Sequence, residues 1–271
     1  MDKRCKTIPA AWQSLLSSWV NSLKASGASN QTVRLRRAHI ARFARAVIKP
    51  PLEIEANDVN SYLACRDWSR ETRRAFVASF KNFCRFIERP ELIESLPKVP
   101  AALPAPRPAP TDAYELALES ASRRVRLMLR LAAELGLRRN EIAQINTSDL
   151  GEDLLGFSLM VHGKGGKIRF MPISADLMGE LNRQANASGW VFPGNIDGHI
   201  SANWAGKLIA SALPGRWTAH TLRHRFATRA YSASDDLLAV SRLLGHASVA
   251  TTQRYVATDA ARLRKVASLA A

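Results

Sequence analysis

Apolar residues recur at helical spacing through the first third of the chain. After Ser69, the positions Phe76, Phe80, Phe83 and Ile87 follow one another at intervals of three or four residues and therefore line one side of a helix. Ser69 is placed to cap its first turn. Arg70, Arg74, Lys81 and Arg85 repeat the same spacing on roughly the opposite side, a row of cations about 22 Å long at 1.5 Å per residue. The stretch NQTVRLRRAHIARFARAV is built alike: Val33, Ile40, Ala44 and Val47 form an inner stripe, Arg34 and Arg45 share an outer face, and Arg42 lies nearby. Acidic partners are nearly absent from these faces, which fits contact with nucleic acid as well as it fits simple solvation.

The helical pattern stops at LPKVPAALPAPRPAP, where Pro97, Pro100, Pro104, Pro106, Pro108 and Pro110 exclude helix and favour an extended strap. The expected organisation is a helical domain over 1–96, a proline-rich linker over 97–110 and a second domain over 111–271. The second domain is expected to open with a helix capped by Thr111 or Asp112 and to run through YELALESASRRVRLMLRLAAELG to a stop at Gly136. A short helix follows in RRNEIAQI. The period then changes in LLGFSLMVHGKGGKIRFMPIS, Leu154 to Ser174, where apolar and β-branched runs flank Gly163 to Gly166 and predict a β-hairpin. Helices resume from SANWAGKLIASAL, with interruptions at Pro214-Gly215 and at Gly245. The fold class is mainly α with a small antiparallel β-sheet in the second domain.

Composition narrows the partners. A chain of 271 residues with 46% hydrophobic and 23% charged residues reads as soluble and globular. It lacks an apolar run near the roughly 20 residues of a bilayer span and an apolar stretch at its N-terminus, so no membrane partner and a cytoplasmic location are expected. Cys5, Cys65 and Cys84 are odd in number and without C-x-x-C spacing, which argues against a disulfide framework and a zinc site. A net charge of +16, spread along the chain among apolar residues, calls for a polyanion, and nucleic acid is the first choice.

The candidate chemistry lies in AHTLRHRFATRAY and LLGHASVATTQRY, where His220, His224 and His246, out of six histidines in all, gather around Arg223 and the second stretch ends at Tyr255. His220 and His224 have the i, i+4 start of a metal helix but lack the glutamate of H-E-x-x-H and any nearby thiol. The segment GKGGK lacks P-loop spacing. Tyr231 sits in an apolar helical pattern and reads as core; His224 reads as a packed histidine bracing its helix, and His162 as a strand end or a DNA contact.

Four segments, LGLRRNEIAQI, GKGGKIRFMPI, HTLRHRFAT and LLGHASVATTQRY, resemble the signature boxes of the tyrosine recombinase (phage integrase) family, in that family's order and over most of Leu135 to Tyr255. The arginine-rich first domain is similar to the family's core-binding domain, and the whole resembles the compact two-domain form of Xer-type recombinases and simple phage integrases. The resemblance implies a clamp around double-stranded DNA bearing specific core sites, a homo-tetramer on that DNA, possible accessory directionality proteins, and neither cofactor nor metal. By the same resemblance Arg138, Lys164, His220, Arg223, His246 and Tyr255 are catalytic and Glu141 is a supporting acid that orients Arg138. Arg34, Arg42, Arg45, Arg70, Arg74, Lys81 and Arg85 are the candidate DNA contacts. In the tail, Leu263, Val266, Ala267 and Ala270 form a short apolar stripe that would dock on a neighbouring protomer or fold back on its own domain. Arg225, where the family often has a smaller polar residue, and the missing glycine before LLAVSRLLGH depart from the pattern at non-catalytic positions.

The residue chemistry agrees with that implication. Strand cleavage builds charge on the non-bridging phosphate oxygens, and a guanidinium is a permanently charged fork for them. A phenol with a pKa near 10 is ionised in only about one molecule in a thousand at neutral pH, so Tyr255 needs a base, and His220 titrates in the right range. Two alternatives stay open: a type IB topoisomerase-like enzyme, which would relax supercoiled DNA without a site, and a catalytically silent DNA-binding regulator.

Overall fold

The computed structural model describes residues 7–101, 107–163, 165–245 and 268. Cys5, Lys164, His246, Tyr255, linker residues 102–106 and the apolar stripe of the tail lie outside the described residues. Two compact units are present, Met1–Pro104 and Ala105–Ala271. No helix among the described residues is long and apolar enough to cross a membrane.

The first unit is helical: α1 (Ala10–Ala25), α2 (Asn30–Ala46), α3 (Ala56–Ala64), α4 (Arg70–Phe86) and the single turn α5 (Glu91–Glu94). Ser29 and Ser69 cap α2 and α4, each hydroxyl accepting from the backbone N–H three residues on. Trp12, Trp19, Phe43, Phe76, Phe80 and Phe83 are fully buried. Phe43 lies edge-on to Tyr62 and Phe80 at centroid distances of 5.1 and 5.0 Å, the preferred arrangement for aromatic quadrupoles. On the outer side of α4, Arg70, Arg74 and Arg85 are exposed and Lys81 is half-buried. Two details correct the sequence expectation. The α4 row does meet an acid, since Arg74 lies 3.8 Å from Glu71. Arg45 is half-buried instead of outward, and its Nε has no hydrogen-bond partner among the described residues, whereas Arg34 and Arg42 are exposed.

The second unit contains α6 (Thr111–Ser120), α7 (Arg123–Glu134), α8 (Arg139–Ala143), β1 (Leu150–Asp153), β2 (Gly156–His162), β3 (Ile168–Ile173), α9 (Ala175–Gln184), β4 (Pro193–Ile196), α10 (Ala202–Ala212), α11 (Ala219–Ser234) and α12 (Leu237–Leu244). The single helix expected from Thr111 to Gly136 is thus two. Ala121 and Ser122 are extended, and the guanidinium of Arg126 donates to the carbonyls of Leu118 and Ala121, which the end of α6 leaves open. Neither Thr111 nor Asp112 caps α6, whose N-cap is Pro110; the Thr111 hydroxyl instead accepts from Arg225.

The sheet is antiparallel in the order β1-β2-β3. Leu159 pairs with Met171 and Val161 with Arg169. The inner face of β2 and β3 carries Leu159, Val161, Met171 and Ile173, all buried. The expected hairpin exists, although Leu154 and Leu155 form the exposed β1–β2 turn instead of starting a strand. Helix α7 is central and packs on α8, α9, α10 and α11. After α7 the chain turns through Gly136 at φ 63°, where an added Cβ would lie 2.5 Å from the Phe226 ring, so only glycine fits.

Candidate active site

The turn at Gly136 delivers Arg138 to the start of α8 in extended conformation. Its backbone N–H donates to Glu141 Oε2 at 2.8 Å and its Nη1 to Oε1 at 2.8 Å. The Glu141 side chain is only 2% exposed. From β3, Arg169 clasps the same carboxylate with both terminal nitrogens, at 2.9 and 2.8 Å. Arg223 of α11, itself buried, approaches to 4.0 Å. Burial alone would raise the Glu141 pKa, but hydrogen bonds from Arg169 and the Arg138 backbone outweigh it and hold the carboxyl below its ordinary value.

The same guanidinium groups receive the end of α12. Arg169 Nε donates to Leu243 O at 2.7 Å, Arg223 Nη2 to Leu244 O at 2.6 Å and Arg138 Nη2 to Gly245 O at 3.5 Å. Three consecutive carbonyls at a helix C-terminus thus face cations, which suits the negative end of the helix dipole. Arg223 Nη1 also donates to Gly136 O at 2.6 Å, tying the turn before Arg138 to α11.

One turn separates His220 from His224 on α11, and their Nε2 atoms are 3.0 Å apart. His224 Nδ1 accepts the backbone N–H of Arg107 at 3.1 Å. A neutral His224 therefore carries its proton on Nε2 and donates it to His220, whose Nε2 holds a lone pair. Desolvation, then the charges of Arg223 and Arg138, hold the His220 pKa below its ordinary value, so the ring is neutral at physiological pH and able to accept a proton.

Of the residues expected in the site, Arg138, Glu141, His220 and Arg223 come together, while Lys164, His246 and Tyr255 lie outside the described residues. Tyr231 is buried against Ala227, Val240 and Leu244. His162 Nε2 donates to Asp149 Oδ1 at 2.7 Å, and His162 lines an open cleft of about 530 Å³ with Asn146, Trp190 and His199. Two cations escaped the sequence reading. Arg169 occupies an inward position of β3, and that charged residue on an apolar face was the available signal. Lys98 joins Arg74 and Lys81 around a cleft of about 370 Å³ beside α4.

Known proteins share this arrangement of helices and small sheet. Residues 111–262 match the family model described as phage integrase family. The tyrosine recombinase XerC of Rhodospirillum centenum is 32% identical over 278 residues, covering 89% of this chain and 81% of that protein. XerC of Bradyrhizobium diazoefficiens is 30% identical over 263 residues, covering 82% and 79%. Among solved structures, a XerH site-specific recombinase bound to a palindromic difH substrate in a post-cleavage complex has a TM-score of 0.72 at 19% identity, covering 99% of this chain and 90% of that one. A lambda integrase tetramer bound to a Holliday junction has a TM-score of 0.65 at 18% identity, covering 90% and 76%; both likenesses are of fold. The chain belongs to the phage integrase family, the tyrosine recombinases, and is Xer-like within it.

Proposed function

We propose that this protein is a site-specific DNA recombinase that cleaves and rejoins strands through a 3′-phosphotyrosyl intermediate on Tyr255. The observation that carries the reading is the convergence of Arg138 and Arg223 on one buried carboxylate, with neutral His220 within their electrostatic reach. Such a cluster holds two guanidinium charges in place before substrate arrives, with Arg138 the more exposed of the two.

The Tyr255 phenol oxygen attacks phosphorus as its proton passes to His220. The bond to the 5′ oxygen breaks, and that oxygen leaves as a hydroxyl after taking a proton from Lys164. Arg138 and Arg223 neutralise the charge that accumulates on the non-bridging oxygens, with His246 as a further donor. Attack by a 5′ hydroxyl of the partner strand reverses the steps and frees Tyr255, so the energy of the broken bond is kept in the enzyme linkage. The roles of Lys164, His246 and Tyr255 rest on the family resemblance of their segments.

Residues 1–96 serve as the core-binding domain, gripping DNA through the cations of α2 and α4, residues 97–110 as a linker, and 111–271 as the catalytic domain. Four copies act on paired sites, with accessory proteins setting direction where direction matters. The XerC relatives favour an Xer-like task over prophage integration.

Trapping on nicked suicide duplexes drawn from the source replicon tests this. A covalent adduct that maps to Tyr255 and vanishes in Tyr255→Phe is expected. Adduct formation by Tyr255→Phe overturns the assignment, and relaxation of any supercoiled plasmid without a site transfers it to a topoisomerase.

A further inference from the structure

We propose that Arg169 is a positioning residue of the phosphate site, holding the end of α12 and strand β3 on the carboxylate that steadies Arg138. The inference rests on the recombinase reading for its consequence, although the tether itself is a matter of geometry.

Arg169 stands opposite Val161, on the strand face that also carries Met171 and Ile173. Its side chain is 12% exposed. Placing a guanidinium there is unfavourable unless its donors are satisfied, and here all three nitrogens are engaged: two on Glu141 and Nε on Leu243 O. Only the planar fork of arginine spans that set, since a lysine amine cannot hold two carboxylate oxygens and a separate carbonyl along fixed directions. The approach is close enough to constrain the neighbouring chain. Gly245 has φ 63°, and a Cβ there would lie 3.1 Å from Arg169 Nη1.

The bonded groups come from three segments distant in sequence. Glu141 is on α8, Arg169 on β3 and Leu243 near the end of α12, one step before the carbonyls that receive Arg223 and Arg138. The residue after Gly245 in the sequence is His246, and Tyr255 follows. Arg169 therefore fixes the point from which the chain departs toward both. It touches neither substrate nor reacting atoms in this role and acts through Glu141 and the α12 carbonyls.

A merely structural ion pair would affect folding alone, so the test separates the two on full-length protein. Arg169→Lys and Arg169→Gln are compared with wild type for melting temperature, DNA affinity, single-turnover cleavage of the trapped duplex and amide exchange over 237–245. We expect Arg169→Lys to bind DNA within about threefold of wild type, to cleave about 100-fold more slowly, as misplacement by about 1 Å does elsewhere, and to exchange faster at Leu244 and Gly245. Arg169→Gln should fall further in cleavage while still binding DNA. Wild-type cleavage rates in both folded variants overturn the proposal. Should the wild type form no adduct on any duplex, the recombinase reading falls, and unchanged exchange at Leu244 and Gly245 in the variants then overturns the tether as well.

Discussion

The two units treat charge in opposite ways. In the first, His39 and Ser79 are buried and bond to each other at 2.9 Å, no Asp, Glu, Lys or Arg residue among the described residues is fully buried, and the candidate DNA-contacting cations lie at or near the surface. The second buries Glu141, Asp149, Arg223 and Arg225 in or beside its apolar core. Aromatic packing suffices to hold five helices together, so the first unit owes its stability to shape and apolar area. A fold that takes charges out of water loses solvation for each and regains it only through exact partners. The second unit does so around Arg138 and Arg223, and under the proposed function the difference separates a surface for binding DNA from a site for acting on it.

The largest effect expected from this contrast comes from removing one anchor in each unit. Glu141→Gln leaves Arg169 and Arg223 without their counter-charge, and Phe43→Ala opens a cavity amid Tyr62, Phe76 and Phe80. Each should cost about 3–5 kcal/mol at neutral pH. Acid then separates them. The folded-state pKa of Glu141 lies below its ordinary value of 4.5, so its contribution is complete above that pH and is lost as pH falls through the folded-state pKa. Urea melts at falling pH should show the gap between wild type and Glu141→Gln closing below about pH 4.5, while the gap to Phe43→Ala persists. A constant gap for both variants would mean that the carboxylate is not ionised by its neighbours in the way the bond network implies.

The same contrast explains what was legible in the sequence. The apolar stripe of α4, its Ser69 cap and the hairpin follow from local period and turn chemistry, and local signals are what a linear reading contains. The boundary at Arg138 was visible for the same reason. The break at Ala121 and Ser122 was hidden because Arg126 stabilises it with a side chain that ordinary helix propensity would keep in a continuous helix. Thr111 failed as a cap because Arg225, 114 residues away, takes its hydroxyl. The four-residue strand β1 is too short for alternation to reveal, and it is held by pairing with Leu159 and its neighbours. In the site, residue types could be matched to family boxes, but the convergence of Arg138, Arg169 and Arg223 on one carboxylate joins α8, β3 and α11 and has no local signature. Lys98 was passed over because a proline-rich strap gives no face on which to place it.

A middle-sized effect should arise at a polar pair in the aromatic core, His39 and Ser79. The Ser79 hydroxyl donates to Ala75 O at 2.9 Å, so it accepts from His39 Nδ1, and the ring is neutral, its pKa lowered by burial and then by Arg42. Ser79→Ala leaves the His39 donor buried and unpaired and should cost about 1–3 kcal/mol in chemical denaturation. Combining it with His39→Leu removes both polar groups and should recover most of that loss. If the double variant were as unstable as the sum of two unrelated losses, packing of the imidazole against Phe76 would be the term that matters, with the hydrogen bond incidental.

The smallest effect on stability is predicted for the cations proposed to bind DNA. Arg85→Ala and Arg74→Ala remove exposed charges from α4 and should change stability by no more than about 0.5 kcal/mol. Each should weaken DNA binding at all sequences and lower the slope of log affinity against log salt by about 1 if the residue contacts a phosphate. The two are not equivalent. Arg74 already has Glu71 at 3.8 Å, with both side chains more than half exposed, and such a pair contributes at most about 1 kcal/mol in water. Its charge is partly answered before DNA arrives. Glu71→Gln should therefore tighten DNA binding while leaving the fold unchanged, and fluorescence titrations across a salt series measure it directly. An unchanged slope in Arg74→Ala together with an unchanged affinity in Glu71→Gln would place the DNA on another face of the unit and leave the row on α4 as solvated surface, in which case the proposed division between a charged exterior for binding and a charged interior for reaction would lose its first half.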